Sequence, residues 1–157
     1  MLQQYKSILV PIDGSFEAEL AFRKAMEVAK RNKASLHILH VIDTRAFQSV
    51  SSFDSEMVEQ VTQKAKETID GYVKTAKDAG ISDVESTIEY GAPKSIISEE
   101  FPKKTNIDLI MIGATGLNAV ERLLIGSVTE FVTRTAKCDV LVVRTDLDNK
   151  KPEKKDD

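Results

Sequence analysis

Apolar residues gather in five short runs, 6–12 (KSILVPI), 35–42 (SLHILHVI), 84–90 (VESTIEY), 107–112 (IDLIMI) and 139–144 (DVLVVR). Each is too short for a helix, and four of them are almost continuously apolar, as strands buried on both faces are. The third alternates apolar with polar residues, the pattern of a half-exposed strand. Pro11 lies near the end of the first run, where a missing N–H does least harm. Between the runs the period changes. Asp13-Gly14-Ser15 turns the chain into a helix through about residue 31, with Ala18, Phe22, Ala25 and Ala29 on one stripe. From about 54 to 79, Val58, Val61, Ala65, Ile69, Tyr72 and Ala76 recur at three and four residues, and Gly80 follows where a helix C-terminus favours glycine. Gly91-Ala92-Pro93 opens a short helix whose buried side is Ile96, Ile97 and Phe101, expected to stop before Pro102. A last helix is predicted over 127–137. Residues 43–53 show no period and are read as a loop.

Five strands alternating with four helices predict an α/β fold, a parallel sheet with helices on both faces and right-handed crossovers. The domain spans residues 1–145. Strand order is not written directly in the pattern. However, the third strand carries Glu85, Thr87 and Glu89 on one face, whereas Val140, Leu141, Val142 and Val143 are apolar at every position. Both fit edge positions, as in the order 3-2-1-4-5, with the third strand protected by charge and the fifth left to pair with a second copy. In that order the sheet reverses direction between its first and fourth strands, and ligands bind in the crevice at their carboxyl ends.

The stretch 107–129, IDLIMIGATGLNAVERLLIGSVT, points at that crevice. A buried strand breaks at Gly113-Ala114-Thr115-Gly116, and after nine residues the chain restarts at Gly126-Ser127 as a helix. A helix start carries unpaired N–H groups and about half a unit of positive charge, so it attracts an anion without a cationic side chain. Glycines at 113, 116 and 126 would let the backbone approach that anion and adopt positive φ. The stretch reads as a phosphate cradle.

Composition narrows the field. The 157 residues suit one domain with one core, and the net charge of -3 argues against a nucleic-acid surface. No apolar run approaches the roughly 18 to 20 residues of a membrane span, and the chain enters its first strand with no leader pattern. The lone Cys138 excludes an internal disulfide and suits a reducing compartment, so a cytoplasmic protein is expected. Residues 146–157 mix charges of both signs, and disorder is expected there. Neither GxxxxGK[ST] nor a GxGxxG after the first strand is present, which argues against a P-loop enzyme and a dinucleotide dehydrogenase.

Gly113-x2-Gly116-x9-Gly126-Ser127, preceded by IDLIMI and followed by VTEFV, together with the opening KSILVPIDGS, resembles the universal stress protein family. The resemblance runs from about residue 6 to 144. It implies a Rossmann-like five-stranded domain that binds ATP, forms homodimers through the last strand and acts as a nucleotide-dependent stress-response regulator on a partner protein not named by the sequence. Carried over by position, Pro11, Ile12, Asp13 and the backbone of Val41 would lie near adenine and ribose. Gly113, Gly116, Gly126, Ser127, Val128 and Thr129 would hold the phosphates. Many members have a basic residue or His between the first two glycines; Ala114 and Thr115 stand there here. Phosphate binding then leans on backbone amides, Arg122 and a divalent metal such as Mg. AMP or ADP are alternative occupants. The rival functions are slow Mg-dependent ATP hydrolysis or phosphoryl transfer, and a dimeric scaffold that binds no nucleotide.

Structural readings stand beside these. Any one glycine alone is a turn residue. Ser127 with Glu130 matches the S-x-x-E capping box, worth about 1 kcal/mol. Asp13 is either a helix cap or an acceptor for a ligand hydroxyl. His37 and His40, three apart in a strand, face opposite sides and read as structural rather than as an HxGH-type signature. Cys138 reads as a buried thiol, with Lys137 beside it to lower its pKa modestly. The long 54–79 stripe is core packing rather than a coiled-coil seam.

Overall fold

Strand β1, Ser7–Ile12, runs through the centre of the molecule with Ile8, Leu9 and Val10 fully buried. In the computed structural model, which describes residues 3–45, 55–116 and 125–152, it pairs in parallel with β2 (Ser35–Asp43) on one side and β4 (Leu109–Gly113) on the other. β3 (Val84–Gly91) adds beyond β2 and β5 (Asp139–Val143) beyond β4, so the order is β3-β2-β1-β4-β5, all parallel. This is the 3-2-1-4-5 order, and among the described residues four helices complete the single α/β domain.

The helices divide between the two faces because alternate strand residues do. Ile8, Val10 and Ile12 of β1, with Leu36, Ile38 and Met111, meet α1 (Phe16–Asn32) and α2 (Ser55–Asp78) through Phe22, Ala25 and Ile69. Leu9, Leu39, Ile110 and Ile112 meet Ile97, Phe101 and Val132 on the other face. Each such side chain taken out of water contributes about 1.5–3 kcal/mol, which is why the β-branched strand runs alone suffice to locate the sheet. Phe22 also packs edge-on against Tyr72, with ring centroids 4.6 Å apart.

The third helix, α3, is one continuous helical path in three pieces: Pro93–Ser95, a π turn over Ile96–Glu100, and Phe101–Thr105. The expected stop before Pro102 is therefore corrected. Phe101 N–H reaches back five residues to the Ile96 carbonyl, and this wide turn lets Pro102, which has no N–H, follow at the start of a fresh turn. The last helix, α4, is Ser127–Thr135, two residues shorter at its end than expected.

β2 and its turn occupy the first residues of the expected 43–53 loop, with Arg45 clasping Asp43 at 2.7 Å; positions 46–54 lie outside the described residues. His37 and His40 do face opposite sides. His37 packs edge-on to Phe101 and pairs with Glu85 at 3.2 Å, while His40 Nδ1 donates to the Ile12 carbonyl at 2.8 Å. At the start of the tail, residues 146–150 form a hydrogen-bonded turn rather than free chain. Asp146 Oδ1 accepts from the amides of Asp148 and Lys150, and Lys24 Nζ of α1 donates to Thr145 Oγ1 and Asn149 Oδ1. Among the described residues no helix is long and apolar enough to cross a membrane.

Candidate functional site

Each helix here follows a strand, so α1, α3 and α4 all begin at the carboxyl end of the sheet. The reversal between β1 and β4 places the starts of α1 and α4 at one crevice. On the β1 side, Asp13 and Gly14 are exposed, and Gly14 takes φ +85°, which only glycine adopts without strain. Asp13 is not the cap of α1. That role belongs to Ser15, whose Oγ accepts from Ala18 N–H at 3.1 Å, while Asp13 Oδ1 accepts from Ser15 N–H at 2.9 Å and is thereby fixed in direction.

On the β4 side, the two ends of the glycine stretch are tied together. Gly126 N–H donates to the Ala114 carbonyl at 2.7 Å, and Thr129 Oγ1, buried, donates to the Gly113 carbonyl at 2.7 Å. The glycines serve close approach, not unusual backbone angles: none of Gly113, Gly116 and Gly126 has φ in the left-handed region, contrary to the sequence expectation. A Cβ on Gly113 would stand 2.8 Å from the Glu17 backbone, so that glycine seats the first turn of α1 on β4. A Cβ on Gly116 would stand 2.5 Å from Asp13 Oδ2, and one on Gly126 would stand 3.3 Å from Thr115 Cα and 3.7 Å from Gly116 N. Gly116 is thus held between the strand-one carboxylate and the start of α4.

The capping box at Ser127 and Glu130 does not form. Gly126 is the N-cap with no side-chain bond, Ser127 is the first helical residue, and Glu130 pairs with Arg134 at 3.2 Å. The first helical bond is Glu130 N–H to the Gly126 carbonyl, so the N–H groups of Ser127, Val128 and Thr129 precede any intrahelical acceptor. The Ser127 side chain is exposed. These donors, a cap without a Cβ and a positive dipole end together fit an anion, and the Asp13 carboxylate across Gly116 fits a hydroxyl donor such as a sugar.

Not every expected residue arrives in the same role. The Ile12 side chain lies in the α1 face of the core, its carbonyl accepts from His40 and its backbone is paired with β2, so it borders the crevice rather than offering a ligand a polar group. Pro11 is buried beside it. Val41 lies on the opposite face, packed against the cluster of Leu39 and Ile112. Arg122 lies outside the described residues. Cys138 sits at the other end of β5 from the crevice, and burial pushes its thiol up rather than Lys137 drawing it down. Two cations were not singled out by the pattern: Lys94 in the first turn of α3 and Arg134 in α4, whose charges lie 5.9 Å and 5.6 Å from the centre of the Phe131 ring. Among the described residues no group of three His, Cys, Asp or Glu side chains could hold a metal ion.

Comparison with known proteins agrees with this architecture. The model of the Universal stress protein family matches residues 4–144. A putative universal stress protein of Staphylococcus aureus (strain USA300) is 51% identical over 142 residues, covering 90% of this chain and 86% of that protein. The structure of universal stress protein UspA from Lactobacillus plantarum is similar with a TM-score of 0.83 at 34% identity, over 91% of this chain and 100% of that one. A universal stress protein solved in complex with cAMP has a TM-score of 0.69 at 26% identity, over 90% of this chain and 98% of that one. With a family match across nearly all of its length and a relative at half identity, the chain belongs to the universal stress protein family.

Proposed function

We propose that this protein binds an adenine nucleotide, ATP in its working form, in the crevice between β1 and β4 and acts as a homodimeric, nucleotide-dependent regulator of another protein. The observation that carries the reading is the position of Gly116, between the Asp13 carboxylate and the first turn of α4. One side of that glycine offers an acceptor for sugar hydroxyls, and the other a row of N–H donors for phosphate. The solved relative in complex with cAMP, a molecule containing both a sugar and a phosphate, supports the same class of ligand.

In this reading Asp13 accepts from ribose, Pro11, Ile12 and the Val41 backbone border the base, Gly116 keeps the floor free of side chains, and Gly113 seats α1 beside it. The N–H groups of Ser127, Val128 and Thr129 and the exposed Ser127 hydroxyl hold phosphate. Mg, when present, arrives on the phosphates and neutralises part of their charge. The occupied crevice joins β1, the turn 113–116 after β4 and the start of α4. Binding therefore favours one arrangement of that surface over others, as a switch requires. β5 supports the homodimer: it is an edge strand, and Leu141 is 41% exposed there, an apolar edge that a second copy would cover.

Titration calorimetry with ATP, ADP and AMP, with and without Mg, tests the proposal. Saturable binding of at least one of them supports it; no heat from any at millimolar concentration overturns it.

A further inference from the structure

We infer that Lys94 is the cation that meets the outermost phosphates of the bound nucleotide, and so sets a preference for a triphosphate over a monophosphate. The inference rests on the nucleotide reading above and adds a residue on an element outside the glycine stretch.

The first turn of α3, Pro93–Ser95, packs against α4. Lys94 is half-buried there, with its Nζ 5.9 Å from the centre of the Phe131 ring, within cation–π reach. Phe131 stands one turn after Ser127, and helical side chains lean toward the N-terminus of their own helix, so the ring lies over the first turn of α4. The ring that Lys94 meets thus belongs to a residue one turn along from the N–H groups that begin the helix. Its four-carbon stem lets the ammonium swing from the ring to a charged oxygen without moving the backbone.

The second cation at the ring gives the contrast. Arg134 is held by Glu130 at 3.2 Å, so its charge is already matched. Among the described residues no carboxylate lies within ion-pair distance of Lys94; its one charge-related contact is the ring face. An aromatic face holds a cation in place without neutralising it, which leaves the charge to act on an incoming anion. Ala114 and Thr115, between the first two glycines, are uncharged. Lys94 would then supply from α3 the positive charge that those positions lack. A monophosphate satisfied by the helix start ends before it; a longer phosphate chain extends toward it.

The test is calorimetry of wild type, Lys94→Ala, Lys94→Arg and Arg134→Ala with ATP and AMP. The expected result is about tenfold weaker ATP binding by Lys94→Ala, AMP binding within about twofold of wild type, and recovery of most ATP affinity in Lys94→Arg, as a charge-assisted contact requires. Arg134→Ala should leave the ratio of ATP to AMP affinity within about twofold. If Lys94→Ala weakens both nucleotides equally, or neither, the role of Lys94 is overturned while the nucleotide reading stands. If wild type binds neither nucleotide, both are overturned together.

Discussion

Asp13 Oδ2 occupies the space where a Cβ on Gly116 would stand, 2.5 Å from it. The contact joins the end of β1 to the loop after β4 at the point where the sheet reverses. Because Asp13 is exposed, a larger residue at 116 displaces its carboxylate outward instead of disrupting the core. Gly116→Val should therefore weaken ATP binding by about tenfold or more, by filling the floor and misplacing the acceptor, with an unchanged far-UV circular dichroism spectrum. Wild-type affinity in this variant would show that the ligand does not cross this floor.

Gly113 should respond in the opposite sense. Its missing Cβ faces backbone atoms of Glu17 at 2.8 Å, and backbone cannot swing away as a carboxylate does. Gly113→Ala should cost about 1–3 kcal/mol by overpacking. That corresponds to roughly 2–4 °C of melting temperature per kcal/mol for a chain of this size. A thermal melt indistinguishable from wild type would mean that α1 is not seated on β4 as described.

His37 makes stability depend on pH. Burial pushes its pKa below the ordinary 6.5, and this outweighs the opposing pull of Glu85 and Asp83. Glu85 is 67% exposed, so its charge is screened by water and only partly compensates. The unfolded chain then takes up the His37 proton more readily than the folded one. The stability involved is fully present above about pH 6.5 and is lost as pH falls from there through the lower folded-state value. Melting temperatures between pH 7.5 and 5 should fall more steeply for Glu85→Gln than for wild type, and less steeply for His37→Gln. Parallel profiles for all three would contradict this.

The dimer reading places the exposed Leu141 of the β5 edge between copies. Leu141→Lys puts a charge there while leaving the side chain outside each protomer's own core, so light scattering should find it monomeric where wild type is dimeric. Wild type that is monomeric at high micromolar concentration would remove the interface itself.

Much of this was legible in the chain because the signals are local. Four strands are continuous apolar runs, the third alternates, and the charged face of β3 against the bare VLVV of β5 marks two edges. The misreadings arose where two local patterns compete or where distance in sequence hides a neighbour. S-x-x-E at Ser127 suggests a cap, but the cap falls one residue earlier, at Gly126, and the hydroxyl at the third helical position, Thr129, reaches β4 instead. Asp13 and Ser15 both suit a cap, and only the Ser15 bond to Ala18 N–H decides between them. Pro102 reads as a terminator because nothing in a local pattern announces a π turn. Glycine signals freedom of φ and freedom of space alike; here space was the operative one. Lys94 was invisible because its partner, Phe131, is on another helix.

The most direct test of the central claim is to follow the backbone amide resonances of the 15N-labelled protein during titration with ATP. The largest shifts are expected at Gly116, Ser127, Val128 and Thr129, with a second group at Asp13 and Gly14. Saturable ATP binding whose shifts leave the start of α4 untouched would contradict a phosphate grip made by main-chain N–H groups.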